Sequence, residues 1–411
     1  MLIIESPGPE LKHANLQGTS AKLYNPKWPR RSLKNILSRL PVKSLMRFKC
    51  VSKAWHTLIS SRRFAKSHFQ RASQNPSCMN VIVFTGNCVL SLGYEALFQT
   101  CVHGQPVDVD FQGFPLWGEE YVETNLASCN GLVCIELYNR RKRTSEYLVW
   151  NPSTKSYKNI PRPTSTPDSM SCWFYRFGFG YDYSTDDHKI VRPYQIFPFD
   201  IKRIEIFSLK TFTWKTILVD VDNIYNCSLP LTPKTTYCNG AIYWSALKYG
   251  KPSIIYFDLA EELFHELPWP ESVLYCVRDG SSGKCFYTTG LWELGIFGEH
   301  LCLSVCTGES RKNLCVQLWV MKESWTRLAT IPYLGTCLRP MCVSKNGEKV
   351  LMRETQVKCV GITGECYYKL VEWNLTDHTC TSILCDPNPR MEAATYVESL
   401  YLQWSAWCGR L

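Results

Sequence analysis

Nowhere does the 411-residue chain hold the run of roughly 18 apolar residues that a membrane helix needs. Its opening, MLIIESPGPEL, lacks the basic flank and sustained apolar stretch of a signal peptide. No membrane contact is expected, and the expected location is the cytoplasm, the nucleus or both. There is no CxxC pair, and 21 cysteines, an odd number scattered over the whole length, make a poor disulfide framework. They read as reduced thiols. No HExxH or GxSxG occurs, and the eight histidines are isolated from one another. Phe177-Gly178-Phe179-Gly180 lacks the third glycine and following helix of a phosphate loop, so it reads as a strand where backbones approach closely. No metal, no cofactor and no catalytic set is expected, and the chain is expected to make or break no bond itself.

Acidic residues are scarce at one end. Residues 1–75 carry 15 Lys or Arg against 2 acids, a net of +13, while the remainder holds 31 basic and 34 acidic residues. Two bodies follow from this division: a small basic one rich in leucine and a long, nearly neutral one rich in aromatic and β-branched residues. A basic segment attracts an acidic partner, whether nucleic acid or protein.

After residues 1–27, which read as a flexible segment, residues 28–70 have helical periodicity. Leu33, Ile36, Leu37 and Leu40 share one face, and Lys34, Asn35, Ser38 and Arg39 face away. Pro41 ends that helix because it lacks a donor and restricts the residue before it. Leu45, Phe48, Val51, Trp55, Leu58 and Ile59 continue the spacing through two further short helices, the last capped by Ser52. Helices this short are unstable alone in water, so mutual burial of these side chains must hold them. No segment reads as a recognition helix with its own exposed polar stripe, which disfavours nucleic acid as the partner.

Leu40-Pro41-Val42-Lys43-Ser44-Leu45, followed by Arg47 to Lys53 and Trp55, resembles the F-box of plant F-box proteins. The likeness spans about 40 residues and continues through Leu58-Ile59-Ser60-Ser61 and Phe64 to His68. It implies docking on a Skp-type adaptor and, through it, on a cullin. Carried over by position, Pro29, Ile36, Leu40, Pro41, Leu45, Val51 and Trp55 lie at or just behind that contact. Where the family usually opens with acidic residues, this chain has Arg30, Arg31 and Lys34.

Residues 78–411 repeat a pattern. Trp150, Phe207, Phe257, Trp319 and Trp373 each close an alternating apolar run, at intervals of 57, 50, 62 and 54. A polar turn and a second run follow, and Tyr157, Trp214, Phe264 and Trp325 come six or seven positions later. That pattern predicts a β-hairpin. Upstream turns at Asn130-Gly131, Asp186-Asp187, Asn239-Gly240, Gly298-Glu299 and Asn346-Gly347 predict a second hairpin in each unit. Four strands recurring near every 50 residues are the period of a kelch-type propeller blade. A weaker copy around Leu90 supplies a sixth unit, and Tyr396 to Tyr401 is expected to be a late strand that joins the first blade. Arg140-Arg141-Lys142-Arg143 reads as a solvated hairpin tip, with a nuclear-address signal as the other reading.

The fold class expected is α+β and multi-domain: a small all-α module, then an all-β propeller of about six degenerate kelch-like blades. Ser128-Cys129-Asn130-Gly131-Leu132, Trp150 to Thr154 and Phe177 to Asp182 resemble the F-box associated interaction domain of plant proteins. The combined resemblance implies a substrate receptor of a Skp-cullin-F-box ubiquitin ligase, with an unidentified target protein on the propeller. Two other classes stand beside it, a basic nucleic-acid binder and a lectin- or glycosidase-like propeller.

Overall fold

The computed structural model of the protein describes residues 30–402 except for 86–87, 100–106, 109–120, 143, 164–171, 175–176, 197–200, 219–226, 229–234, 249–250, 274–291, 309–313, 333–335, 361–362 and 387–391. The segment 1–27 and Pro29 lie outside the described residues. The helical module contains α1 (Arg30–Leu37), α2 (Val42–Phe48), α3 (Lys53–Ile59) and α4 (Arg62–Ala72). This is one helix more than the periodicity predicts, because the apolar spacing runs on past a break. At Ser61 the chain turns extended (φ −76°, ψ 139°) and its Oγ accepts from the Phe64 amide, which starts α4 afresh. Ser52 caps α3 as expected, accepting from Trp55 N.

The six sheets among the described residues form the blades of the propeller. Blade I contains β1 (Met79–Thr85), β2 (Cys88–Gly93) and β3 (Val107–Asp108), with a short helix α5 (Tyr94–Gln99) after β2. Blade II is β4 (Tyr121–Cys129), β5 (Leu132–Asn139), β6 (Thr144–Asn151) and β7 (Ser156–Ile160). Blade III has an inner strand in two pieces, β8 (Cys172–Phe174) and β9 (Gly178–Asp182), then β10 (Asp187–Ile196), β11 (Ile201–Ser208) and β12 (Thr213–Leu218). Blade IV repeats that split with β13 (Cys227–Ser228) and β14 (Thr235–Cys238), then β15 (Ala241–Lys248), β16 (Lys251–Asp258) and β17 (Leu263–Leu267). Blade V is β18 (Trp292–Phe297), β19 (His300–Gly308), β20 (Leu314–Met321) and β21 (Trp325–Pro332). Blade VI is β22 (Thr336–Val343), β23 (Lys349–Val360), β24 (Thr363–Asn374) and β25 (Cys380–Asp386). The last strand, β26 (Glu392–Val397), pairs with β1 in blade I and closes the ring.

The repeated aromatics all fall on the third strand of a blade, and their spacing becomes cross-strand pairing. Trp150 lies opposite Tyr157, Phe207 opposite Trp214, and Phe257 opposite Phe264. Such pairs contribute roughly 0.2 to 1 kcal/mol each beyond their burial. Blade V departs from this because a register shift at Leu318/Trp319 puts Trp319 opposite Arg327 and Trp325 opposite Met321. All five upstream turns join a first strand to a second. Left-handed backbone occurs at Asn130, Gly131, Asp186, Asn239, Gly240, Gly298 and Gly347, as the Asn-Gly signal requires. Strands alternate in direction, so these turns share one end of the ring, and the Arg140–Lys142 tip sits, exposed, at the other.

Two expectations change. The copy around Leu90 keeps its third strand, but α5 replaces the hairpin turn because Tyr94 and Leu97 pack at helical spacing into the cluster around Val81 and Leu351. The late strand stops at Val397; Glu398 N donates to Cys78 O, and Ser399 to Tyr401 leave the sheet. Asn151 holds that departing segment, its Nδ2 donating to Ser399 O at 3.0 Å and Tyr401 O at 2.8 Å. Phe177 to Gly180 is a tight approach between strands, since a Cβ on Gly178 would lie 2.3 Å from Ile242 Cγ2.

Candidate functional site

Leu37, Val42, Leu45, Ile59, Phe64 and Ala65 form the buried core of the helical module, with Leu33, Leu40, Met46, Phe48, Trp55 and Leu58 partly buried around it. Trp55 packs edge-on against Phe48, ring centroids 5.5 Å apart. Two large apolar side chains stay outside: Ile36 is 51% exposed and Val51 60%. Among the residues the resemblance singles out, Ile36, Pro41 and Val51 are therefore at the surface, Leu40 and Trp55 are half-buried, and Leu45 is wholly enclosed. Helices α1 to α4 contain no acidic residue, so the surface around Ile36 and Val51 is cationic or neutral.

The module is clasped to the propeller by contacts the sequence reading did not anticipate. Leu400, from the segment after β26, is fully enclosed within the helical core. Glu398 Oε2 accepts from the first amide of α2, Val42 N, at 3.2 Å, which answers a free helix donor with a negative charge. Tyr401 meets Phe69 of α4 with ring centroids 5.7 Å apart. On the other side Asp186, in the blade III turn, receives Arg62 at 2.9 Å and Lys66 at 3.1 Å, together with the Tyr181 hydroxyl. Burial alone would raise the Asp186 carboxyl, but Tyr181, Lys66 and Arg62 together hold it below the usual carboxylate range. His68 bonds to Leu40 O at 2.9 Å, and burial lowers its pKa despite that carbonyl and the charge of Glu398. No local sequence signal marks the contacts between module and propeller, because their partners are 120 or more residues apart.

The ring axis is lined by the six inner strands β4, β9, β14, β18, β22 and β26, around a cavity that is partly open to solvent. Arg339 of β22 reaches across it, with Nε on Leu294 O at 3.1 Å and Nη2 on Thr235 O at 2.9 Å. Buried thiols are held protonated: burial pushes Cys302 up to about 12 and Cys238 up to about 11. Among the described residues no group of three His, Cys, Asp or Glu is placed to hold a metal, and no helix is long and apolar enough to cross a membrane.

The model of the F-box domain matches residues 26–67, and that of the F-box associated beta propeller domain matches residues 111–402. The chain belongs to the F-box associated beta-propeller family. An F-box/kelch-repeat protein of Arabidopsis thaliana is 29% identical over 344 residues, covering 79% of this chain and 85% of its own length. F-box protein CPR1 of the same plant is 26% identical over 362 residues, 79% of each chain. Among solved structures, TolB from Acinetobacter baumannii gives a TM-score of 0.46 at 10% identity over 77% of this chain and 66% of that one. Helices α1 to α4 are thus the F-box, and the six-bladed ring is the associated propeller.

Proposed function

We propose that this F-box protein is the substrate-recognition subunit of a Skp-cullin-F-box type ubiquitin ligase. The F-box carries the adaptor contact through Ile36 and Val51, backed by Leu40, Pro41, Leu45 and Trp55, and by Pro29 outside the described residues. The adaptor links it to the cullin, and the propeller holds a target protein. The observation that carries the reading is that an F-box with two exposed apolar side chains is fastened to a propeller by Leu400, Glu398 and Asp186. That fastening fixes the separation between adaptor and target. The chain then contributes no bond chemistry; it raises the effective concentration of the target near the transferred ubiquitin. Target recognition belongs on loops, because the strands are used by the fold, and the end of the ring away from the helices is the one left open. The protein works in the cytoplasm or nucleus.

The test is co-purification of the full chain with a Skp-type adaptor. The wild type is expected to capture it, and Ile36→Glu/Val51→Glu is expected to lose capture at least tenfold without a change in melting temperature, since both side chains are exposed. Absence of capture by the wild type, or undiminished capture by the double variant, overturns the reading.

A further inference from the structure

Arg339 differs from three other cations held between strands. Lys189 meets Asp182 at 2.8 Å and Glu262 at 3.1 Å, Arg192 meets Glu205 at 2.9 Å, and Arg353 meets Glu392 at 2.7 Å. Arg339 lies half-buried at the axis, and its partners are all neutral: Leu294 O, Thr235 O and, at 3.4 Å, Thr236 Oγ1. It also lies opposite Arg353 in the β22–β23 register, and the carboxylate of Glu392 goes to Arg353. Among the described residues no acidic side chain lines the axial cavity. A guanidinium withdrawn from water without a counter-charge is costly, and a carboxylate brought to it regains a charge-assisted bond of fixed geometry.

The rest of the lining suits one kind of occupant. Ser128 and Thr395 border the cavity, and among the described residues their hydroxyls make no hydrogen bond. Nη1 of Arg339 likewise has no acceptor among the described residues. Ile296, Met341 and Ala394 supply an apolar wall. Centres of water molecules can occupy about 80 Å³ of the cavity, room for a few waters or one short organic chain, beside one cation, a few polar groups and apolar sides.

We infer that the propeller axis is a binding site for a monocarboxylate with an apolar body, its carboxylate paired with Arg339. A single guanidinium balances one negative charge; a phosphate dianion would keep a charge unanswered at a site with no second cation among its described lining residues. The carboxylate comes either from a free organic acid or from the carboxyl terminus of a bound protein ending in an apolar residue. This goes beyond the receptor role, which does not depend on it.

Titration of the full chain followed by NMR tests it, with four probes: hexanoate, hexanamide, an N-acetylated pentapeptide ending in leucine with a free carboxylate, and the same peptide amidated. The expected result is that at least one carboxylate probe binds about tenfold or more tighter than its amide, and that Arg339→Met abolishes the difference. Preference for hexanoate identifies a free acid as the source, and preference for the peptide identifies a protein terminus. Ala394→Leu narrows the cavity and leaves Arg339 in place; it is expected to weaken the same binding and keeps the test decisive if Arg339→Met does not fold. Equal binding of acid and amide, binding that survives both variants, or no binding of either carboxylate up to roughly 10 mM, a concentration that corresponds to very weak affinity, overturns the inference. Adaptor capture by Arg339→Met is expected to match the wild type, so failure here is distinguishable from failure of the receptor reading.

Discussion

Leu400→Ala isolates the clasp between F-box and propeller. Leu400 is fully buried and closes a cluster otherwise made by Leu37, Val42, Leu45, Ile59, Phe64 and Ala65. Truncating a buried leucine to alanine costs about 2 to 5 kcal/mol, made up of the lost transfer free energy and the cavity left behind. Rigid neighbours on all sides put this site near the middle, about 3 kcal/mol. The loss falls on the F-box first, because Leu400 packs there and not between the blades. Opening of the helices should then accelerate by roughly 100-fold, since each 1.4 kcal/mol is a factor of ten. The amides of Leu45 and Ala65, bonded to Pro41 O and Ser61 O, are the probes. Hydrogen exchange is compared between wild type, Leu400→Ala and Leu218→Ala; Leu218 is 71% exposed on blade III and should change stability by no more than about 0.5 kcal/mol. If exchange at Leu45 and Ala65 in Leu400→Ala stays within about twofold of wild type, the F-box core does not depend on the carboxyl-terminal segment and the fixed-separation argument fails.

Two further outcomes follow from single sites. His188 is enclosed between Phe179, Tyr181 and Tyr401, and burial, aided by the positive charge of Arg62, pushes its pKa down to about 3. The unfolded chain takes up a proton near pH 6.5 that the folded ring refuses, so stability is full above that pH and falls by about 1.4 kcal/mol per unit between about 6.5 and 3. Urea midpoints measured from pH 7 to 5 should decline less steeply in His188→Gln, and parallel slopes would show that another group dominates. Gly295 faces a different constraint: an added Cβ would lie 2.0 Å from Pro340 O, a backbone atom of the next blade. Gly295→Ala should cost about 3 kcal/mol by forcing β18 and β22 apart. Gly347→Ala, at φ +76° with open space around it, should cost only about 1 to 2 kcal/mol of backbone strain; equal thermal shifts for the two would refute the packing argument.

What the sequence made legible was whatever local chemistry determines. Asn130-Gly131 and Asn239-Gly240 need left-handed backbone, so they announce their hairpins without reference to the rest of the ring. Trp150, Phe207 and Phe257 recur because each must face an aromatic partner on the next strand, and that partner is only seven residues away. Ring closure was legible for a related reason, since a lone late strand has an edge to satisfy, although its end was placed too far along. The clasp was not legible. Leu400 carries an ordinary apolar side chain in a segment that could have continued as a strand, and its destination is a helical core formed by residues 37–65. Arg339 was equally silent: one arginine in an alternating strand is usually a solvated side chain, and only the meeting of six inner strands turns that position into an axis with, among the described residues, one cation and no acid. The clasp and the axial cavity are both assembled from segments far apart in the chain, where sequence distance carries no information about contact and the physical argument has to begin from the closed ring.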